Sequence, residues 1–517
     1  MSRRPTHQFS QTKTATIPRS SFDLSHGYKT TLDAGFLIPI LSLECLPGDT
    51  INCRASLFGR LATPIKPILD NLHLETFFFF TPTRQVWPNF VKMMGEQVNP
   101  TDSIDFSVPV VGTGAAVTTG TLGDYYGIPL GTDPDDVVIN ALPFRIYGHI
   151  YNFWFRDENL IPSLNNASGD GPDAATQTLG RLPQRRRKRR DYITAGLPFQ
   201  QKGPDVTVSL GTSAPIATAA VAGQNIEIIN GAGNPFTMDT LTTGELAPLS
   251  TGAGVNTMFA DLSASNGISI QDLRESTQIQ KLLERDARGG TRYPEILRSH
   301  FQVTDPSLLV HQRPLYLGGG KSMINITPVQ QTTESDALTP QGNLAAYGTV
   351  SAAGHGFTSS FTEHGYITGL VNVRADLTYQ QGLERYWSRQ TRYDFFWPTL
   401  AHLSEQDVKN KEVFVSNSSV DDEVFAYMPR YDEYRFKQSQ ITGLFRSDAA
   451  ASLDVWHLAQ DFQVLPALNK AFIEDNPPID RVVAVPSEPD LLLDVYFKIT
   501  AARPLPTYAT PGMGGTL

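Results

Sequence analysis

The 517-residue chain is poor in charge and rich in turn formers: charged residues make up 18% of it, whereas there are 41 glycines and 36 prolines. This composition predicts many short strands joined by long ordered loops, that is, an all-β protein in which loops outweigh the core. The two cysteines exclude a disulfide framework, no apolar run approaches the ~18 residues of a membrane span, and the formal net charge is -10.

Residues 1–30 are polar, and they contain no acid before Asp23. The lysine and arginine residues before Asp23 are Arg3, Arg4, Lys13 and Arg19. An extended arm that lies along a neighbouring subunit or reaches toward nucleic acid fits this pattern, and a frayed terminus fits it equally well. No apolar segment that could serve as a signal peptide follows the first arginines, so we expect the chain to stay in a reducing cytosol.

Two strands are predicted between residues 50 and 80. After a turn signal at residues 47–49, apolar side chains fall on every second position: Ile51, Cys53, Ala55 and Leu57. This period of two predicts a half-buried strand. Residues 71–80 end in four consecutive phenylalanines, which place rings on both faces of a second strand, so both faces must meet something dry. We expect Cys45 and Cys53 to be buried reduced thiols rather than a disulfide across the turn.

The densest aromatic segment, residues 144–160, is predicted to be helical. Its apolar positions recur at helical spacing rather than in alternation: Ile146, Ile150, Phe153 and Trp154. A row of aromatic side chains of this kind belongs more often to a core or a subunit interface than to a platform for base stacking.

Six consecutive basic residues interrupt this acidic chain: Arg185, Arg186, Arg187, Lys188, Arg189 and Arg190. Three interpretations fit the pattern, namely a solvated loop, pairing with acids on a neighbouring subunit, and contact with phosphates. The residues alone favour the first two.

Residues 203–273 differ in composition from the rest of the chain. They contain no lysine or arginine, six acids and many small residues. We expect a folded insertion with a shallow core, which protrudes and leans on copies of itself. The helix that follows is predicted to begin at a cap formed by Ser269 and Asp272 and to end at Gly289.

Residues 364–379 and 491–500 are predicted to be strands, because opposite faces of each carry different side chains in alternation. Between them, residues 385–397 interleave arginines with aromatic rings. The candidate site residues are Arg385, Trp387, Arg389, Arg392 and Trp397. Arginine beside aromatic rings can bind single-stranded DNA through stacking, and subunit interfaces use the same combination. The pattern favours an interface over DNA.

The sequence contains no catalytic or metal-binding constellation. The ten histidines are scattered, and the closest pairings, Glu363 with His364 and His402 with Glu405, fall short of the three or four ligands that zinc needs. The nucleophile pattern G-x-S-x-G is absent, and residues 318–322 lack the spacing and context of a phosphate loop. We therefore predict no enzymatic activity, no cofactor and no bound metal.

Three stretches carry a family resemblance. They are PGD with its following strand, P-I-x-D-N-L-x-L-E, an aromatic run and T-P-T-R-x-x-W within residues 47–87; QRPLYLGGG at residues 312–320; and TEHGYITGLVNVRAD at residues 362–376. Together they resemble the major capsid protein of the Microviridae, which are small icosahedral single-stranded-DNA phages, and most closely that of the gokushoviruses.

The resemblance implies an all-β fold: an eight-stranded antiparallel jelly roll of the viral capsid type, with long loops, a few short helices and one large insertion. We expect an N-terminal arm at 1–30, the jelly-roll core at 31–202 and 274–503, the inserted protrusion at 203–273, and a tail at 504–517 that clamps a neighbour.

The resemblance also bears on the candidate sites. The interior of a DNA-filled shell would offer phosphates to residues 185–190, which favours the DNA-contacting interpretation of that run. The family places a protrusion at the threefold axes, where it meets the host. The candidate attachment residues are Asn225, Asn230, Asn234, Asp239 and Glu245.

By resemblance, the chain is a major capsid protein that forms a T=1 icosahedral shell of ~60 copies around a circular single-stranded DNA genome. Its location would be the virion, and the host cytoplasm during assembly. The implied partners are a small basic DNA-binding protein, a pilot protein, an internal scaffolding protein and a host cell-surface receptor. A basic protein or polyamines are needed because about 360 charges from residues 185–190 cannot neutralise the ~1,550 phosphates that encode the chain.

A jelly-roll carbohydrate-binding, lectin-like protein or a receptor-binding protein is the alternative function. It fits the fold equally well, but it explains the basic run and the reduced thiols poorly.

Overall fold

The computed structural model describes residues 18–114, 116–207, 270–304, 306, 312–335, 340–403 and 405–508, together with the backbone of short strands between residues 216 and 260. The strands are β1 (Ser20–Asp23), β2 (His26–Leu32), β3 (Ile38–Cys45), β4 (Thr50–Leu61), β5 (Leu72–Pro82), β6 (Ile216–Ala217), β7 (Asn225–Ile229), β8 (Pro235–Thr240), β9 (Leu246–Leu249), β10 (Val255–Thr257), β11 (Phe259–Ala260), β12 (Leu315–Met323), β13 (Asn325–Gln330), β14 (Leu344–Ser360), β15 (Gly365–Ala375), β16 (Glu405–Lys409), β17 (Val424–Pro429) and β18 (Leu491–Arg503).

The α-helices are fewer, and most are short. They are α1 (Thr83–Val86), α2 (Phe90–Met93), α3 (Leu122–Tyr125), α4 (Leu142–Ile150), α5 (Ile270–Gly289), α6 (Tyr293–Phe301) and α7 (Lys470–Ile473). Two compact units are present, one built from residues up to Pro198 and from Thr304 onward, the other from Phe199–Val303.

The first unit is built on one antiparallel sheet of ten strands. Eight of them follow the order β1-β18-β4-β14-β12-β5-β15-β3, while β2 pairs with β18 and β13 pairs with β14. The period-two pattern produces these strands, since every second side chain of β4 and β18 is buried. The strands predicted at 50–57, 71–80 and 491–500 are present, whereas the strand predicted at 364–379 ends at Ala375. The all-β antiparallel jelly-roll class is confirmed.

The sheet curls around a single apolar core. Strands from distant positions in the order contribute to it, since Ile38 of β3 and Ile499 of β18 are buried in the same cluster. Phe78 of β5 and Phe497 of β18 meet across the core with their ring centroids 6.5 Å apart. The two ends of the sheet also approach each other, because the Tyr28 hydroxyl of β2 donates to the Pro39 carbonyl of β3 at 3.2 Å.

A second layer covers the outer side of β5, which is therefore buried on both faces, as its four phenylalanines predict. Phe78 lies in the interior of the curled sheet, whereas Phe79 packs outward against α4 and the π-helical turn Tyr151–Phe155 that continues it. Ile146 and Ile150 of α4 are fully buried there. The helix predicted within residues 144–160 is confirmed as far as residue 155.

Local predictions for the thiols are also confirmed. Cys45 and Cys53 are buried and free, and desolvation raises the pKa of Cys53 to about 12. Within the predicted N-terminal arm, β1 and β2 pair with β18 of the same chain, while residues 1–17 lie outside the described residues.

The second unit contains the predicted insertion. Its described backbone forms a four-stranded sheet in the order β10-β7-β8-β9 and a ladder between β6 and β11. Helix α5 ends at Gly289 as predicted, followed by Gly290 at φ +92°, which suits a helix C-terminus. Its predicted cap residue Ser269 lies outside the described residues. On α5, Ala287 is buried, whereas Leu273 and Ile279 are exposed.

Candidate functional site

The predicted DNA-contacting run, residues 185–190, is bound to acids of its own chain. Arg186 and Arg189 both reach the carboxylate of Glu75 on β5, Arg189 at 2.9 Å. Arg189 also bonds Asp376 at 2.6 Å, and Arg187 bonds Asp157 at 3.1 Å. The run therefore connects β5, the end of β15 and the loop after α4.

Aromatic rings and burial hold the other cations of the run. The Arg185 guanidinium lies 4.1 Å from the centroid of the Phe36 ring, and the Lys188 ammonium lies 4.5 Å from that of Phe472. Burial lowers the pKa of Lys188 to about 8. Arg190 is the exposed member, and it forms no ion pair with any described residue.

The second predicted site, residues 385–397, folds as short 3-10 turns at Arg385–Ser388 and Arg392–Asp394. Its arginines are paired or stacked within the chain. Arg385 bonds Glu412 at 3.1 Å, and Arg389 bonds Glu433 at 3.3 Å. The Arg392 guanidinium lies 4.8 Å from the centroid of its neighbour, the Tyr393 ring.

The rings of this segment, in contrast, are exposed. We call them the aromatic surface; its members are Tyr386, Trp387, Tyr393, Phe395, Phe396 and Trp397. Trp387 is 67% exposed and Trp397 47%. Beside them lies a cavity of about 210 Å³, lined by Tyr192, Glu384, Arg385, Tyr386, Arg389, Glu412, Glu433, Tyr434, Phe436, Lys437 and Gln438. Its acids and cations form ion pairs with one another, so the cavity wall is close to neutral.

The outward side chains of β4 and β18 form a further exposed surface, which we call the β4–β18 face. Its charged and aromatic members are Arg54, Phe58, Arg60, Asp494, Tyr496 and Lys498. Arg54 and Lys498 face each other directly across the two strands. The sequence analysis missed this surface because alternation shows which side chains point outward but not that these two strands, far apart in the chain, are neighbours.

The candidate attachment residues lie in the second unit. Asn225 belongs to β7 and Asp239 to β8. Asn230, Asn234 and Glu245 lie outside the described residues. Their role in attachment stays a prediction.

Within the part of the chain that the structure describes, no group of three or more His, Cys, Asp or Glu side chains is placed to hold a metal ion. Glu363, one of the weak candidates, bonds Arg84 at 2.6 Å, and His364 packs edge-on against Phe90. Among the same residues, no helix is both long enough and apolar enough to cross a membrane.

Comparison with known proteins identifies the family. The family described as "Capsid protein (F protein)" matches residues 10–513, which is nearly the whole chain. The chain belongs to this capsid protein family. The exposed aromatic surface and the internally paired basic run are therefore features of a capsid protein.

Relatives of the capsid protein match it over almost their full length. Capsid protein VP1 of Bdellovibrio phage phiMH2K is 44% identical over 535 residues, covering 99% of both chains. Capsid protein VP1 of Chlamydia phage 1 is 38% identical over 586 residues, covering 98% of each. That of Spiroplasma virus 4 is 35% identical over 549 residues, covering 98% of this chain and 97% of the relative. The resemblance to gokushovirus capsid proteins is confirmed.

Family membership gives the capsid protein a structural role. It assembles with copies of itself into a capsid, and it is located in the virion. Its functional sites thus include surfaces that contact other copies of the chain.

Proposed function

We propose that the capsid protein forms a T=1 icosahedral shell of ~60 copies around a circular single-stranded DNA genome. The observation that carries this proposal is the full-length similarity, at 35–44% identity, to phage proteins that are named capsid proteins. The curled antiparallel sheet supports it, because jelly rolls recur in viral capsids.

The aromatic surface is the proposed contact with a second copy. Contiguous exposed rings on a soluble chain mark interaction sites, and the cores of protein interfaces are rich in aromatic side chains and arginine but poor in unpaired charge. Here Arg385 and Arg389 are already neutralised by Glu412 and Glu433. Arg392, which stacks on Tyr393, is the one arginine of residues 385–397 without an acid partner among the described residues. A surface of six rings with one such cation fits another protein better than it fits a polyanion.

The assembly test removes two of the most exposed rings. Trp387→Ala with Tyr393→Ala is expected to abolish closed shells in electron micrographs while leaving the unfolding midpoint of the chain unchanged, because both rings are more than half exposed. Tyr347→Ala is the matched control, since Tyr347 is 43% exposed but lies on β14, away from the aromatic surface. Closed shells from the double variant would contradict the assignment of this interface.

DNA contact by residues 185–190 is part of the proposal in a restricted form. Phosphates that approach Arg186, Arg187 or Arg189 have to compete with carboxylates at 2.5–3.1 Å. Arg190 is exposed and carries no such pair among the described residues, so it is the member of the run with a free charge.

The remaining partners are proposed from the family resemblance. They are a small basic DNA-binding protein, a pilot protein, an internal scaffolding protein during assembly in the host cytoplasm, and a host receptor. Mass spectrometry of purified virions and of assembly intermediates tests the first three. A virion that contains only this chain and its DNA, without a basic protein or polyamine, would contradict the predicted charge balance.

Host attachment is proposed for the insertion at residues 203–273. Its lack of lysine and arginine supports an outward position, because an acidic surface is repelled by packaged DNA. Particles whose chain lacks these residues are expected to form but not to adsorb to host cells. Adsorption at the parental rate would remove the insertion from this role.

A further inference from the structure

The β4–β18 face concentrates cations that have no acid to pair with. The side chains of Arg54, Arg60 and Lys498 form no ion pair or hydrogen bond with any described residue, although all three lie on the exposed side of the sheet. The acid between them, Asp494, is bonded by Lys29 at 3.0 Å. In a chain of net charge -10, this surface is a local excess of positive charge.

The register of the two strands makes this excess of positive charge unfavourable for the stability of the sheet. Lys498 and Arg54 are direct cross-strand partners, and like charges in that position destabilise a sheet. Hydrogen bonds from Ser25 lower the pKa of Asp23 on the neighbouring strand β1, and Lys498 adds a smaller effect. Lys498 and Asp23 are nevertheless not within ion-pair distance. A polyanion bound across the pair would relieve the repulsion.

Two exposed rings lie next to these cations. Phe58 is 55% exposed and Tyr496 is 54% exposed. Phe58 faces Asp494, and Tyr496 faces Ser56, so the two rings occupy diagonal positions, within reach of large side chains. A sheet face that carries exposed rings with cations beside them matches what single-stranded nucleic acids require, namely stacking surfaces for bases and positive charge for the backbone.

The other two candidate surfaces have fewer uncompensated cations beside exposed rings. Apart from Arg190, the basic run is bound to acids, rings and carbonyl groups of its own chain. At the aromatic surface, Arg385 and Arg389 are neutralised by Glu412 and Glu433. Arg392 stacks on Tyr393 and forms no ion pair with a described residue, so residues 385–397 carry one uncompensated cation where the β4–β18 face has three. The β4–β18 face combines exposed rings with uncompensated cations.

We propose that the β4–β18 face is the platform on which the capsid protein binds single-stranded DNA, with bases on Phe58 and Tyr496 and phosphates on Arg54, Arg60 and Lys498. This inference rests on the proposed enclosure of single-stranded DNA, and it names the surface that receives the strand. The contact needs no particular base sequence, because every base has a face that can stack.

The charge test measures binding of a short fluorescein-labelled oligothymidylate to the full-length protein by anisotropy, from about 50 to 200 mM salt. Arg54→Gln with Lys498→Gln is expected to reduce the slope of log affinity against log salt by about 1.4, that is, ~0.7 for each phosphate contact on a single strand. The unfolding midpoint should stay the same or rise, because the like-charge pair is gone.

Matched controls separate charge, rings and position. Arg435→Gln with Lys470→Gln removes two exposed cations that are paired within the chain, and it should leave the slope unchanged. Phe58→Ala with Tyr496→Ala should weaken binding roughly fivefold or more for each ring at an unchanged slope. A parental slope in the Arg54/Lys498 variant, or a parent that does not bind the oligothymidylate, would overturn the proposal.

Ultraviolet irradiation of assembled particles tests the proposed DNA contact within the shell. Ultraviolet crosslinking of filled shells, followed by mass spectrometry, is expected to find nucleotide adducts on peptides that contain Phe58 or Tyr496. Adducts confined to other peptides, or a neighbouring copy covering this face in an electron-microscopy map of the shell, would overturn it. Absence of closed shells from the parent chain would instead refute the proposed function, since the oligothymidylate assay does not require assembly.

Discussion

Glu75 is the acid around which the basic run is organised. Its side chain is 11% exposed, and it accepts hydrogen bonds from Arg186 and Arg189, with Arg374 4.0 Å away. Burial acts to raise the pKa of Glu75, but the three arginines outweigh it, so the pKa lies below its usual value. At neutral pH this carboxylate is charged, and it balances cations that are themselves partly buried.

Removing that charge should destabilise the fold. Glu75→Gln leaves Arg186 and Arg189 without their shared anion, and breaking a partly buried pair from one side costs about 3 to 5 kcal/mol. Urea unfolding of the chain measures this loss. Asp494→Asn is the control, because its pair with Lys29 is exposed on both sides and such pairs contribute about 0 to 1 kcal/mol. Equal effects of the two substitutions would show that the Glu75 network adds no stability.

The lowered pKa of Glu75 also predicts that the free energy of unfolding depends on pH in the acid range. Because its pKa is lowered in the folded state, its contribution is present above the unfolded pKa of about 4.3 and is lost as pH falls through the lower folded value. Glu75→Gln should therefore lose less stability than the parent when the pH is taken below about 4. Equal losses of stability in the variant and the parent would show that the acid sensitivity of the fold comes from other groups.

The pKa of Asp490 is shifted in the opposite direction, upward. Burial, with added repulsion from Asp33 and Asp480, raises its pKa to about 6, although its carboxylate accepts a hydrogen bond from the Ala34 amide at 2.8 Å. A folded pKa above the unfolded value of about 3.9 means that this group contributes stability below pH ~4, and that the contribution is lost as pH rises through 6.

Replacing the Asp490 carboxylate with an amide should remove the loss of stability that occurs as pH rises. Asp490→Asn keeps an oxygen for the Ala34 amide, and above pH 6 it is expected to raise the free energy of unfolding by about 3 kcal/mol relative to the parent. The difference between variant and parent should grow between pH ~4 and ~6 and then stay constant. Urea unfolding across this range measures it, and a difference that is the same at every pH would contradict the assignment.

At the scale of elements, β12 shows why its three consecutive glycines are required. The motif of residues 318–320 lies in a strand between β5 and β14. A Cβ on Gly319 would lie 2.1 Å from the carbonyl oxygen of Thr76 in β5, and one on Gly320 would lie 2.2 Å from the His355 ring of β14. The glycines therefore allow close strand approach, and they have no phosphate-binding role in this setting.

Gly319→Ala should consequently destabilise the sheet. The nearest atom is backbone, so the strands have to move apart, and such overpacking costs roughly 1 to 3 kcal/mol. Gly169→Ala is the control, because a Cβ there meets nothing within 4 Å. Thermal unfolding of both variants measures the effect, and a Gly319→Ala midpoint as high as that of the control would show that β12 tolerates the methyl group.

At the scale of the whole molecule, the two proposed surfaces respond to salt differently. Two of the three arginines at the aromatic surface are neutralised by acids, so the proposed contact between copies rests mainly on burial of rings and is weakly screened. The β4–β18 face carries uncompensated cations, so its contact with DNA involves counterion release. Assembly and DNA binding are thus separate properties of one chain.

Raising the sodium chloride concentration should affect DNA binding and assembly differently. Between about 50 and 200 mM, DNA binding is expected to fall steeply, whereas the formation of empty shells, followed by light scattering, should change little. Assembly that fades with salt in parallel with DNA binding would mean that charged contacts, and not the rings, hold the copies together.

Much of the fold follows from the sequence because its signals are local. Alternation of apolar side chains places β4, β15 and β18 and orients their faces, since a strand has a period of two wherever it lies in the sheet. Four adjacent phenylalanines require two dry faces on β5 because neighbouring side chains point to opposite sides. The family resemblance was likewise readable from short motifs in the chain.

Whether each charged side chain is paired or free, in contrast, was decided by the tertiary structure. Arg189 meets Asp376 across 187 residues of sequence, and Lys498 meets Arg54 because β18 pairs with β4. Ion pairing falls off over a few ångströms, so it depends on which distant segments the fold brings together. The conspicuous basic run is for this reason mostly bound within the chain, while scattered cations on two distant strands form the exposed positive surface.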